Sequence, residues 1–228
     1  MQISRNFLSG ALASALILGI ASGSDAQSVF GTVGTVAGNQ NFFNSMGTYF
    51  TIASSLGEGF TVDSIGVFDS NADGIAGTLT AAIFNVTTSS IVSGTQQTFT
   101  SGSPGTLGAG SYRFKSITPV TLAPGSYAIV GRGFGSSDLN YNAGADSGAP
   151  PSKIITIDAV NGPTQLTFSN TYFDGTGNAS LILPTTLDGA KDRYGAGAFT
   201  VVIPEPGTLA LLGFGLAPVT LAIRRRRK

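Results

Sequence analysis

Asp69-Ser70-Asn71-Ala72-Asp73-Gly74 is the run whose residue types and spacing point most directly to chemistry. Oxygen-bearing side chains at its first, third and fifth positions, Asp69, Asn71 and Asp73, alternate as the ligands of a calcium loop do. Gly74 at the sixth permits the sharp turn such a loop needs. The second half of the pattern is missing, because the twelfth position is Thr80 instead of a bidentate Glu. A distant carboxylate such as Glu58 would have to complete the shell. The alternative is a turn in which Asp and Asn bond their own backbone and Gly takes positive φ. Both readings stay open, and calcium is the one cofactor the sequence suggests.

The chain contains no His, no Cys and no Trp. Ser-His-Asp and Cys-His arrangements, most zinc sites and a disulfide framework are therefore excluded. A carboxylate-pair glycosidase is chemically open. Yet Asp63, Asp138, Asp146, Asp174 and Asp188 sit in turn contexts, where solvated loop carboxylates are expected. The expectation is a protein without enzymatic activity. Tyrosines are the remaining candidates, since exposed aromatic faces stack on sugar rings. Tyr112 and Tyr127 lie in strand-like runs and are expected in the core. Tyr141, in a long polar loop, and Tyr172, beside Phe173, are the candidate carbohydrate contacts. Lys191-Asp192-Arg193 reads as a solvated turn.

Such side chains need a scaffold. Between residues 27 and 203 helical periodicity is almost absent, and short Val/Ile/Thr/Phe/Tyr runs recur between Gly, Asn, Pro and Ser clusters. That is the pattern of antiparallel β-structure. Residues 60–68, 79–86, 97–100, 112–117, 120–122, 127–131, 153–160, 165–169, 180–183 and 199–203 read as strands. Ala123-Pro124-Gly125-Ser126 has the residue order of a type II turn. Residues 133–152 form a long loop rich in Gly, Ser, Asn, Asp and Pro, a length associated with function or mobility. The fold class expected is all-β, an antiparallel two-sheet sandwich of jelly-roll type with about ten strands.

Helices are expected only at the two ends. Arg5 precedes an apolar stretch at 7–21, and Ser24-Asp25-Ala26 has the small-x-small form of a signal-peptidase site. Cleavage is expected between Ala26 and Gln27. At the other end come Pro204-Glu205-Pro206, an uncharged run at 208–223, and Arg224-Arg225-Arg226-Arg227-Lys228. The two prolines fix an extended segment. The uncharged run would span roughly 24 Å as a helix, somewhat short of a ~30 Å hydrocarbon core, with snorkelling of Arg224 able to extend it. The basic cluster is a positive-inside, stop-transfer signal. The domains expected are a signal peptide (1–26), an exported domain (27–203) and a sorting tail (204–228). The exported domain holds six basic and ten acidic residues, a net charge of −4. Nothing in it resembles the clustered basic surface that nucleic acid requires.

The ending, with its motif, apolar helix and terminal arginines in that order, resembles the PEP-CTERM sorting signal of Gram-negative bacteria. The resemblance covers the chain from about Pro204 onward; Pro218 within the apolar run departs from it mildly. It implies an exosortase, a membrane-embedded protease or transpeptidase, that recognises Pro204, Glu205 and Pro206 and removes the tail. It also implies export through the inner membrane, anchoring there by the C-terminal helix before processing, and release to the cell surface or exterior. An association with exopolysaccharide or biofilm matrix comes with it. Residues 59–131 also resemble domains common among such exported proteins, through Gly59 to Val62, Ile65 to Asp69, Asp73-Gly74 and Pro119 to Tyr127. That resemblance implies a β-sandwich and carries no catalytic residues. A surface or matrix protein is the expectation; a carbohydrate-binding module for matrix polysaccharide, with or without calcium, is the alternative.

Overall fold

The computed structural model describes residues 26–30, 37–54, 59–142, 154–159, 162–191 and 193–203. The leader, Glu58, Asp146 and the whole tail from Pro204 to Lys228, with both expected helices, lie outside the described residues.

Thirteen strands occur among the described residues. In chain order they are β1 (Ala26–Phe30), β2 (Met46–Ser54), β3 (Phe60–Phe68), β4 (Thr78–Asn85), β5 (Ser90–Ile91), β6 (Gln97–Thr100) and β7 (Thr106–Leu107). There follow β8 (Tyr112–Leu122), β9 (Gly125–Arg132), β10 (Ile154–Ala159), β11 (Gly162–Phe173), β12 (Thr186–Lys191) and β13 (Gly197–Ile203). They form two antiparallel sheets. The smaller has the order β1-β13-β3-β8-β7; the larger runs β10-β11-β2-β9-β4-β5, with β12 also on β11 and β6 also on β4.

The sheets close on one core because alternate residues of facing strands are apolar. Phe50 of β2 lies 5.1 Å from Phe199 of β13 and 5.7 Å from both Tyr127 and Phe168, so one aromatic cluster ties the two layers. Phe60 and Val62 point inward, and so do Ile65 and Val67 after a one-residue change of phase. A bulge makes that change. Val62 pairs with Val120 and Ser64 with Ser116, so Ile117, Thr118 and Pro119 face Asp63 alone. Pro119 cannot donate to a ladder, and a bulge is where a strand tolerates it.

That bulge explains one departure from the sequence reading: 112–117 and 120–122 are a single strand. Gly125 is a second correction, since it opens β9 and is not at positive φ, so no type II corner exists there. The connection carries the chain from one sheet to the other. Residues 180–183 are not a strand but a cover. Leu181 and Leu183 lie on the outer face of the large sheet, packed on Ala82, Phe84, Ala128 and Val130. Two central or bounding strands, β2 and β12, fall outside the runs read from sequence, as does β1.

The registers give the sandwich two ends. At one, Ala26 faces Ile203, and the turns at 86–89 and 123–124 lie alongside. At the other, Gly197 faces Val67, Phe68 faces Tyr112, and Met46 faces both Gly131 and Phe173. This second end carries the long loops: 37–45, 69–77, 133–142, 174–185 and 193–196.

Candidate functional site

Asp69 follows directly on β3 and is 1% exposed. Both carboxylate oxygens accept the Gly74 N–H, at 3.2 and 3.1 Å, and Oδ2 also accepts Arg113 Nε at 2.5 Å. Gly74 has φ 116°, and Asn71 and Ala72 also take positive φ. Asn71 and Asp73 are exposed. This is the geometry of a turn bonding its own backbone. A calcium ion at Asp69 would have to displace a guanidinium. Among the described residues, no three His, Cys, Asp or Glu side chains gather where a metal ion could be held.

Two further carboxylates hold loops at the same end. Asp138 is 6% exposed and accepts Ala76 N–H at 2.9 Å and Gly77 N–H at 2.6 Å. Asp174 is 3% exposed and accepts from the Thr176 hydroxyl at 2.6 Å, Thr176 N–H at 2.9 Å and Asn178 N–H at 3.1 Å. Burial works to raise the Asp174 pKa; the hydrogen bonds from Thr176 and Asn178 and the charge of Arg132 outweigh it, leaving it below the ordinary carboxylate value. The expectation of solvated turn carboxylates is thus wrong for both, because each replaces water with backbone amides. Asp63 is in mid-strand, accepting a hydrogen bond from the Thr200 hydroxyl. Asp188 lies in β12, bridged to Arg193 at 2.7 Å and accepting from the Tyr194 hydroxyl. Arg193 is accordingly a tie between loops, not part of a solvated turn; its Nε also donates to Asn142.

Tyr112 and Tyr127 are core residues, as their strand contexts suggest. Tyr141 is half-buried, with its ring 6.3 Å from Phe68. Tyr172 lies 4.1 Å from the ring of Tyr49, whose hydroxyl donates to the Pro184 carbonyl. Burial, and then the neighbouring Tyr172, push the Tyr49 pKa up to about 12. Tyr172 thus packs against Tyr49 and Tyr141 lies beside Phe68, in two separate settings.

Among the described residues the exposed aromatic at the loop end is Phe43, 56% accessible, with Arg132 Cζ 4.4 Å above its ring. Neither residue stands among the sequence candidates. The available signal was an aromatic pair, Phe42-Phe43, inside an otherwise polar Asn/Gln stretch. Phe42 turns toward Phe173 and packs; Phe43 turns out.

The tail leaves β13 at the opposite end. Residues 202–227 match the family model of the PEP-CTERM protein-sorting motif. No curated protein and no solved structure matches the chain significantly. The motif is a substrate signal for exosortase processing, and it implies an exported protein anchored in the membrane at its C-terminus before processing. Among the described residues no helix is long and apolar enough to cross a membrane. The run at 208–223 is outside them.

Proposed function

We propose that this is a non-enzymatic surface or extracellular-matrix protein, a β-sandwich of jelly-roll type processed at both ends. In this reading a signal peptide is removed between Ala26 and Gln27. Pro204, Glu205 and Pro206 are the exosortase recognition element, residues 208–223 the span that presents it, and Arg224 to Lys228 the cytoplasmic stop. Association with exopolysaccharide or biofilm matrix belongs to the same reading.

The observation that carries it is where the sorting motif begins. Its match starts at Val202, and β13 ends at Ile203, opposite Ala26 in β1. Cutting between Ala26 and Gln27 and beyond Ile203 would take from the paired strands only Ala26, the first residue of β1. Gln27 to Phe30 stay paired with Val202 to Phe199, so β1 remains on the sheet. The absence of enzymatic activity draws support from the buried carboxylates, since Asp69, Asp138 and Asp174 are each committed to backbone amides. None is left to move a proton.

Intact mass spectrometry of protein from membranes and culture medium tests the proposal. The wild type should lack residues 1–26 and the chain beyond the Pro-Glu-Pro region. Replacing Pro204, Glu205 and Pro206 by alanine should leave the tail in place and the protein in the membrane fraction. A wild-type mass that retains the tail, in cells with intact processing machinery, would overturn it.

A further inference from the structure

We propose that the groove beside Phe43 and Arg132 binds a chain of neutral sugar units. The groove has two depressions of about 330 Å³ each, which share Thr80 and Arg132. Each is at the lower end of the ~300–1,000 Å³ usual for small-ligand sites. Two joined at a common wall suit consecutive residues of a polymer better than a single small molecule.

The lining has the chemistry of polyol recognition. Phe43 offers an apolar face, and a pyranose presents its C–H groups to such a face. The ring is preorganised, because Arg132 sits over it and the Phe43 carbonyl accepts Gly133 N–H at 3.0 Å. A contact held still in the free protein loses little freedom on binding. Around it stand the hydroxyls of Thr80, Ser136 and Ser137, and across Arg132 the side chains of Gln96 and Ser180. Such groups donate and accept, as sugar hydroxyls do. The guanidinium is only partly used. Nη2 donates to the Asn178 carbonyl at 3.1 Å, while Nε is buried without an acceptor among the described residues.

Charge selects among glycans. Among the described residues Arg132 is the one cation lining the groove, and Asp138 lines the same wall. The exported region as a whole carries six basic against ten acidic residues. With Arg132 matched by Asp138 in the lining, and the domain net negative, a polyanionic chain finds no surplus positive charge to hold it, whereas a neutral chain needs none. The proposal rests on the surface-protein reading only for its orientation, with the groove at the end opposite Ile203.

Native electrophoresis of the processed protein through gels containing dextran, galactomannan or hydroxyethylcellulose tests it, with alginate as the polyanionic comparison. At least one neutral gel should retard the wild type, and alginate should not. Phe43→Ala should weaken that retardation about ten-fold, the size of effect expected from one aromatic contact. Phe43→Tyr and Tyr172→Ala should leave it in place. Ser136→Arg, which fills the groove from an exposed position, should abolish it, so that a folding defect in one variant does not decide the outcome. Unchanged migration in all three neutral gels would overturn the proposal, as would retardation that survives both groove variants or occurs only in alginate. These results are independent of tail trimming, so failure here leaves the sorting reading intact, and an untrimmed tail leaves this one intact.

Discussion

Asp69 keeps a charge in a place almost closed to water because Arg113 and the Gly74 amide meet it there. A buried ion pair adds little over a well-packed apolar pair, but removing one partner strands the other. Arg113→Ala should therefore cost about 3 kcal/mol in urea denaturation, the low end for a broken buried pair because Arg113 itself is partly exposed. A loss under about 1 kcal/mol would show that Asp69 is held by its amide bond alone. Asp174 makes a different prediction. Its pKa is lowered in the folded state by Thr176, Asn178 and Arg132, against the opposing effect of burial. A depressed carboxylate stabilises the fold above its unfolded-state value of about 3.9, and that contribution disappears as pH falls through the folded-state value. Asp174→Asn should accordingly lower Tm at neutral pH, and the gap to wild type should narrow below about pH 4. A gap constant from pH 7 to pH 3 would rule out the charge as the source of the effect.

At the scale of elements, what is legible depends on whether a residue's partner is near in sequence or across the sandwich. β3 shows its alternation openly, and β6 is recovered residue for residue, because each writes its own burial pattern. β2 is harder to read. Its Tyr49-Phe50-Thr51-Ile52 run is short and apolar, and its place between β11 and β9 is set by strands far along the chain. The alternation of Leu181 and Leu183 was misleading for a related reason. It records contact with the second apolar layer on the outer face of the large sheet, and Ile182 N–H bonds the Ser45 hydroxyl instead of a ladder partner. The long loop at 133–152 was half legible. Its polar composition is real, yet Phe134, Asp138 and Asn140 are buried, and Asn140 bridges Gln40. Composition reports how a segment would behave in water; it does not report a carboxylate that finds two amides. The same limit hid Phe43 and Arg132, which become a pair only when β2 and β9 lie side by side. The tail needed no fold at all, since its order of motif, apolar run and basic cluster is written consecutively.

The described domain is polar in the geometric sense, with the start of β1 and the end of β13 at one pole and clamped loops at the other. Ala26 and Ile203 are paired at the first; the loops of Asp69, Asp138 and Asp174 are at the second. A domain tethered through residues beyond Ile203 should then stand with its first pole toward the bilayer. β4 spans the two poles, from the turn after Asn85 to the Thr78–Thr100 pair, over eight residues. At ~3.3 Å per residue that separates the poles by roughly 25 Å. Because the chain has no cysteine, a single introduced thiol reports one position without background. Thr87→Cys marks the tethered pole and Ser101→Cys the far one, both at exposed turn residues. In the variant whose Pro-Glu-Pro motif is replaced by alanines, the protein keeps its anchor, and a donor dye on either thiol can be read against an acceptor dye in the membrane. Energy transfer should be strong from position 87 and weak from position 101. Equal transfer from both would mean that the sandwich lies on its side, with the Phe43 groove no farther from lipid than the tail itself.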